Sequence, residues 1–116
     1  MPADPGRRLV AILRPDIRVD IDAIHKALAN PVRRQILNWL KTPAQSFEPQ
    51  EHPWELGVCA SRIDQRAGLS QSTVSGHLAV LQRAGLVTSQ KVGQWVFFQR
   101  NEALIQAFLE HSAKEL

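Results

Sequence analysis

The chain has 116 residues, of which 44% are hydrophobic and 22% charged, as expected for a globular protein of one domain. Its one cysteine, Cys59, excludes an internal disulfide and is typical of a reducing compartment. The sequence contains neither an apolar run of membrane-spanning length nor the pattern of a signal peptide, so we expect a cytoplasmic protein with no membrane partner.

The charges are few but unevenly distributed. The net charge of +3 does not by itself indicate a nucleic-acid partner. However, residues 65–101 contain no Asp or Glu, although Arg66, Arg83, Lys91 and Arg100 lie among them. Such a segment is typical of a surface that faces phosphates. A chance gap in a mildly basic domain has the same pattern, so the gap supports DNA binding without establishing it.

The N-terminal part is predicted to contain an extension followed by two helices. Residues 1–19 are expected to form a partly flexible extension, in which residues 7–13 have the pattern of a short amphipathic helix. Asp20 or Asp22 caps the next helix. Asn30-Pro31 begins another, because Asn is a good cap and the first turn does not need the N–H that Pro lacks. The inward apolar positions of the two helices are Ile21, Ile24, Leu28, Val32, Ile36, Leu37 and Leu40.

A long connection separates these helices from the rest of the chain. It comprises residues 42–56 and is polar and proline-bearing. A connection of this length either has a function or simply runs over the surface of the protein. A third helix is predicted over residues 58–67, with Cys59 on its inward side and Gly68 at its end.

The C-terminal part combines a helix, a hairpin and a last helix. A tight turn leads into the fourth helix, which Ser70 caps. Residues 86–91 and 94–100 predict two strands around a glycine turn, and Asn101 caps the last helix. This order predicts a mainly α fold with a β-hairpin wing, the winged helix-turn-helix, within residues 20–116. The apolar stripe of the last helix consists of Leu104, Ile105, Phe108 and Leu109.

The fourth helix carries the clearest functional signal. At about 100° per residue, Val74, Leu78 and Leu81 face the core, and the opposite side is small, polar and free of carboxylates. Solvated helix faces favour Glu and Lys, whereas small hydroxyl and amide side chains allow a helix to lie in a major groove. The first turn has no acidic residue, so its N–H groups are available to a phosphate. The predicted DNA-contacting residues of this helix are Ser70, Gln71, Ser72, Thr73, Ser75, Gly76, His77 and Arg83.

Several runs resemble the ArsR/SmtB family of repressors. Residues 68–78 (GLSQSTVSGHL) and 81–87 (LQRAGLV) resemble the family's recognition segment. Residues 28–37 resemble its opening motif, and residues 93–98 resemble its wing strand. The resemblance implies a homodimer paired through the first and last helices. It also implies a roughly palindromic double-stranded DNA operator that is repressed until an effector releases the protein.

Two positions depart from the family pattern. Gly76 stands where many members have an arginine, at a cost of about 1 kcal/mol in helix propensity. Gln94 replaces the frequent arginine of the wing, where Lys91 also belongs to the predicted DNA-contacting set. The charged contacts are then expected from Lys91 and Arg83, with further candidates Arg62, Arg66 and Arg100.

The family's metal sites do not fit this sequence. Where one site uses Cys-x-Cys, the chain has Gly57-Val58-Cys59, with a single thiolate. In the last helix, only His111 and Glu115 share a face. We therefore predict no metal and no cofactor. Cys59 has two interpretations, an oxidisable switch or a small residue that fills the core.

Two other classes of function fit the sequence less well than DNA binding, and a third interpretation differs only in the effector. A winged-helix protein-interaction module would have an apolar or acidic outer face on the fourth helix, and this face is neither. An enzyme would need a nucleophile–base pair, a carboxylate dyad or a phosphate loop, and none is present. The third alternative keeps DNA binding but uses an organic effector or none, with Trp54 of the long connection contributing to a pocket.

Overall fold

The computed structural model describes residues 10–14 and 17–116 of the chain. No helix in this part is long and apolar enough to span a membrane. The helices are α1 (Ile21–Leu28), α2 (Pro31–Lys41), α3 (Pro43–Ser46), α4 (Ala60–Ala67), α5 (Gln71–Arg83) and α6 (Glu102–Glu115). The strands are β1 (Val10–Arg14), β2 (Ile17–Asp20), β3 (Val58–Cys59), β4 (Val87–Val92) and β5 (Trp95–Arg100).

Strands β1 and β2 form an antiparallel hairpin before α1. The helix expected over residues 7–13 is therefore wrong from residue 10 onward, and residues 7–9 lie outside the described part. Val10 and Ile12 are β-branched and favour a strand. Pairing with β2 also provides hydrogen-bond partners for backbone groups that would have none at the ends of so short a helix. Strand β2 contacts α6, so the hairpin adjoins the last helix.

The caps of α1 and α2 agree with the sequence. Asp20, rather than Asp22, caps α1, and its carboxylate accepts the N–H three residues further on at 3.1 Å. The Asn30 side-chain oxygen accepts the N–H groups of Val32 and Arg33 at 2.9 and 3.1 Å. Both helices therefore begin where a local side-chain acceptor satisfies their free donors.

Helix α4 begins two residues later than predicted, at Ala60. Val58 and Cys59 instead form β3 and pair with Phe98 and Phe97 of β5. The resulting sheet is antiparallel, in the order β3-β5-β4. The helical prediction was wrong here because the pairing partner lies far along the chain. A β-branched residue gains more from such a partner than from the first turn of a helix.

The connection between α2 and β3 is held in place by Gln50. Its Nε2 donates to the carbonyls of His52 and Gly57 at 3.1 and 2.9 Å. Its Oε1 accepts the N–H of Cys59 at 3.0 Å. Trp54 packs against the hydrophobic core. This segment is therefore attached to the fold at both ends and contains α3 and a 3-10 turn.

The core forms between the helices and the sheet. Leu109, which the sequence assigns to the apolar stripe of α6, is 53% exposed, whereas Leu104 and Phe108 are buried. The ring of His25 in α1 packs edge-on against Phe108, 5.5 Å between centroids, so α1 and α6 touch at this point. The largest fully buried side chains are those of Phe97, Ile24, Ile36, Ile63, Leu81, Leu86, Val19, Val58, Val74 and Val87.

Gly57, just before β3, and Gly68, just after α4, both have positive φ. They allow a matched test of how closely the backbone packs at the start of β3. Gly57 has φ 106° and ψ −171°, and a Cβ there would lie 2.7 Å from the carbonyl oxygen of Phe98. Gly68 has φ 66°, and a Cβ there would meet nothing within 4 Å. We expect Gly57→Ala to lower the free energy of unfolding by about 3 kcal/mol, because it adds a backbone clash to conformational strain. Gly68→Ala should cost about 1 kcal/mol. Urea denaturation measures both free energies of unfolding. Equal losses of stability in the two variants would contradict a clash between residue 57 and the Phe98 carbonyl.

Candidate nucleic-acid interface

A tight turn joins α4 to α5 and fixes where α5 begins. Gly68 adopts a left-handed conformation and donates its N–H to the carbonyl of Asp64 at 3.0 Å, which ends α4. Ser70 caps α5, since its Oγ accepts the N–H of Thr73 at 3.2 Å. The same Oγ lies 2.8 Å from the Thr73 hydroxyl. The hydroxyl groups at the start of α5 are thus organised before any ligand is present.

The inner face of α5 is buried, as predicted. Val74, Leu78 and Leu81 are 0, 3 and 0% exposed. A Cβ added at Gly76 would meet nothing within 4 Å, so the backbone is open to solvent at that position. The exposed residues of α5 and its cap include Ser70, Gln71, Ser72, Thr73, Ser75, Gly76 and Arg83.

His77 differs from the rest of the predicted set because it is half-buried. Its Nδ1 lies 3.3 Å from Nη1 of Arg33, in the first turn of α2. The sequence places Arg33 toward solvent or DNA, but its contact with His77 was not predicted. The residue lies in the opening motif of the family resemblance, but no local pattern connects it to a residue 44 positions further on.

The wing extends from the end of α5. Gln82 Nε2 donates to Ser89 Oγ at 3.0 Å and joins the last turn of α5 to β4. Lys91 and Gln94 are both exposed near the tip of the hairpin, as predicted. The strands begin and end within one residue of their predicted bounds.

The predicted basic residues fall into two groups. Arg83 and Lys91 are exposed, and neither makes a hydrogen bond or ion pair with another described residue. By contrast, Arg100 forms a bidentate pair with Glu102, at 2.6 and 3.3 Å, and its side chain is 15% exposed. Its charge is therefore neutralised within the fold.

Arg62 and Arg66 are partly engaged by the chain itself. Arg62 Nε donates to the carbonyl of Pro49 at 3.0 Å. Arg66 Nε donates to the carbonyl of Ser46 at 3.1 Å, and its guanidinium lies 4.6 Å from the ring centre of Trp39. These contacts attach α4 to the connection after α2, so both residues support the fold in addition to any contact with phosphate.

Asp64 is the one acid in α4 and α5. It lines a cavity of about 280 Å³ together with Gln71 and Ser75 of α5. Burial raises the pKa of its carboxyl above the ordinary value, because desolvation disfavours the charged form. The outer face of α5 itself carries no carboxylate.

Cys59 is 6% exposed, and its Sγ lies 3.3 Å from Ser61 Oγ. It borders a cavity of about 270 Å³ whose other walls include His52 and Trp95. The structure thus places it in the sheet and core, where it pairs with Phe97 of the wing strand. In the described part of the chain, no three His, Cys, Asp or Glu side chains lie close enough together to hold a metal ion.

Helix, tight turn, helix and hairpin, with a carboxylate-free outer face on the second helix, define a winged helix-turn-helix regulator. Residues 58–89 match the model of the family described as "Bacterial regulatory protein, arsR family". A relative from Bacillus subtilis, "Uncharacterized HTH-type transcriptional regulator YbzH", is 40% identical over 84 residues, covering 71% of this chain and 84% of the relative. The "Transcriptional activator HlyU" of Vibrio cholerae is 36% identical over 85 residues, covering 73% and 67%.

Solved structures agree with the sequence relatives. The structure of HlyU from Vibrio cholerae has a TM-score of 0.55 at 32% identity, covering 79% of this chain and 88% of that one. A homodimeric winged helix-turn-helix DNA-binding domain from Mycobacterium bovis has a TM-score of 0.58 at 25% identity, covering 82% and 77%. The chain belongs to the ArsR family of bacterial regulatory proteins. It is a DNA-binding transcriptional regulator, and the predicted fold, family and general function are confirmed.

Gly76 provides a test in which stability and affinity change in opposite directions. Gly76→Ala should raise the free energy of unfolding by up to about 1 kcal/mol, because Ala favours helix and the added Cβ meets open space. It should also weaken DNA binding, because the methyl group would project from the face of α5 that is predicted to lie in the groove. Urea denaturation and a DNA titration measure the two effects. Tighter or unchanged binding by the stabilised variant would contradict a close backbone approach at Gly76.

Proposed function

We propose that two copies of the chain bind a roughly palindromic operator and repress transcription, with α5 of each copy in a major groove. The observation that carries this proposal is the outer face of α5, which is exposed, small and polar. It is accompanied by the exposed charges of Arg83 and Lys91, which pair with no other described residue. Small polar side chains suit contacts with base edges, and the two charges suit phosphates. The proposed contacts are Ser70, Gln71, Ser72, Thr73, Ser75, Gly76, His77, Arg83, Lys91 and Gln94.

We infer that the chain acts as a homodimer paired through its first and last helices, as its resemblance to the family implies. Leu109 of α6 is exposed in one copy of the chain, and burying its side chain against a second copy would be favourable. The related domain from Mycobacterium bovis is described as homodimeric. Two-fold symmetry of the protein would require a matching symmetry of the operator.

The sign of regulation is part of the proposal. Occupation of a promoter is sufficient for repression, although the HlyU relative is named an activator. A reporter under the chain's own promoter distinguishes the two, since deletion of the gene should raise expression under repression and lower it under activation. We place this activity in the cytoplasm, where the DNA is, and assign no catalytic step to the chain.

Two kinds of signal are candidates for releasing the protein from DNA, a small organic effector and an oxidant. The cavity of about 270 Å³ joins His52 of the long connection to Trp95 of the wing, so a small organic effector bound there would contact the DNA-binding hairpin. The buried thiol of Cys59 borders the same cavity, but its burial favours packing over reactivity. A loss of DNA affinity after peroxide treatment that Cys59→Ser abolishes would instead identify an oxidant as the signal.

Salt-dependent binding to promoter DNA tests the DNA-contacting surface. Affinity should fall steeply with salt and should greatly exceed affinity for random duplex. Arg83→Ala or Lys91→Ala removes one phosphate contact per subunit, so each should weaken binding to all sequences and reduce the magnitude of the salt slope by about 2 per dimer. Lys114→Ala is the matched control, since it removes the same charge from the last turn of α6.

Fluorescence anisotropy with labelled duplexes measures these affinities. The proposal fails if the wild-type protein does not prefer its promoter over random duplex. The assignment of Arg83 and Lys91 fails if their variants retain the salt slope of the Lys114→Ala protein.

A further inference from the structure

Arg33 connects three elements around the recognition helix. Its Nε donates to the carbonyl of Ala27 at 2.7 Å, and its Nη2 donates to that of Lys26 at 3.1 Å. Both carbonyls belong to the last turn of α1, where the helix dipole favours a positive charge. The remaining arm, Nη1, lies 3.3 Å from Nδ1 of His77 in α5. The guanidinium is thus held on α1 and directed at one ring nitrogen of α5.

This contact determines which ring nitrogen of His77 carries the proton. A guanidinium has donors only and cannot accept a hydrogen bond. Nδ1 of His77 must therefore offer its lone pair to Arg33, which places the proton of the neutral ring on Nε2. Other contacts of the ring do not oppose this arrangement, because no described residue hydrogen-bonds to Nε2 of His77.

The free Nε2–H has a suitable partner outside the chain. His77 is half-buried and follows Gly76, which lies on the outer face of α5. At about 100° per residue, His77 projects from the flank of α5, between the buried stripe and the outer face. Side chains on the flank of a helix in the major groove are nearest the sugar–phosphate wall, and phosphate oxygens accept hydrogen bonds without reading sequence.

We propose that Arg33 is a positioning residue that holds His77 in the Nε2–H tautomer, so that this N–H donates to a DNA phosphate beside α5. The inference rests on the proposed use of α5 in DNA binding. It adds a residue of α2 to the binding machinery, although Arg33 need not contact DNA. Arg33 also brings a fixed positive charge close to the same phosphate.

The first test reads the tautomer in the free protein. Long-range ¹H–¹⁵N NMR at pH 8 should show His77 with a protonated Nε2 and an unprotonated Nδ1. Arg33→Lys keeps the charge but cannot span the same three acceptors, so the ring should become a mixture of tautomers. Arg34→Lys is the matched control, because Arg34 donates to the carbonyl of Leu28 at 2.6 Å and has no contact with His77. A wild-type ring protonated at Nδ1, or an unchanged ring in Arg33→Lys, would overturn the proposal.

The second test measures binding to promoter duplex. In His77→Gln the side-chain amide can replace the Nε2–H donor, so affinity should stay within about twofold of wild type. His77→Asn is too short to do so and should lose about tenfold, the size of one hydrogen bond. Arg33→Lys should lower the affinity for DNA by a similar factor when residue 77 is His. The same substitution should change the affinity little in the His77→Gln protein. Equal affinities for the Gln and Asn variants would overturn the phosphate contact.

The two tests separate this inference from the proposed function. If the protein binds no DNA, the proposed function fails, and the tautomer measurement still decides whether Arg33 fixes the ring. If DNA binds but the tautomer is wrong, only the positioning role fails. Should Arg33→Lys not fold, the wild-type tautomer and the His77→Gln and His77→Asn pair still decide the outcome.

Discussion

The burial of Val74, Leu78 and Leu81 determines how α5 can be used. These three side chains are almost completely buried, so the helix cannot rotate without exposing them. Loss of such a contact typically costs 2–5 kcal/mol for a large apolar residue. The opposite face of α5 therefore always points outward. The tight turn at Gly68 and the Ser70 cap then set the point at which its hydroxyl-rich first turn meets a ligand.

Around this fixed helix, the basic residues that the sequence assigns to DNA binding differ in whether they have a local partner. Arg100 is paired with Glu102, and Arg66 is held by a carbonyl and an aromatic ring, which leaves Arg83 and Lys91 free among the described residues. The resulting surface has small side chains at its centre and charges at its end and on the wing. Such a surface suits the proposed close approach to DNA, with electrostatic attraction supplied by the charges around it.

The sequence predicts best those features whose causes lie within a few residues. The caps at Asn30, Ser70 and Asn101 each involve an N–H two or three positions away, so side-chain rules were sufficient to find them. Strand β3 was missed because its partner is β5, and the contact between Arg33 and His77 was missed because the two residues are 44 positions apart. The β1–β2 hairpin was missed because a short apolar run is compatible with both the periodicity of a helix and that of a strand. The exposure of Leu109 likewise depends on which neighbours α6 acquires in the folded chain.

Selection of binding sites from a pool of random duplexes tests most directly whether the outer face of α5 reads DNA. The wild-type protein should enrich one two-fold symmetric sequence. Ser72→Ala should keep the same half-site spacing and change base preference at one symmetry-related pair of positions, since Ser72 lies at the centre of that face. If no sequence is enriched, or if both proteins have identical preferences at every position, the outer face of α5 does not read DNA.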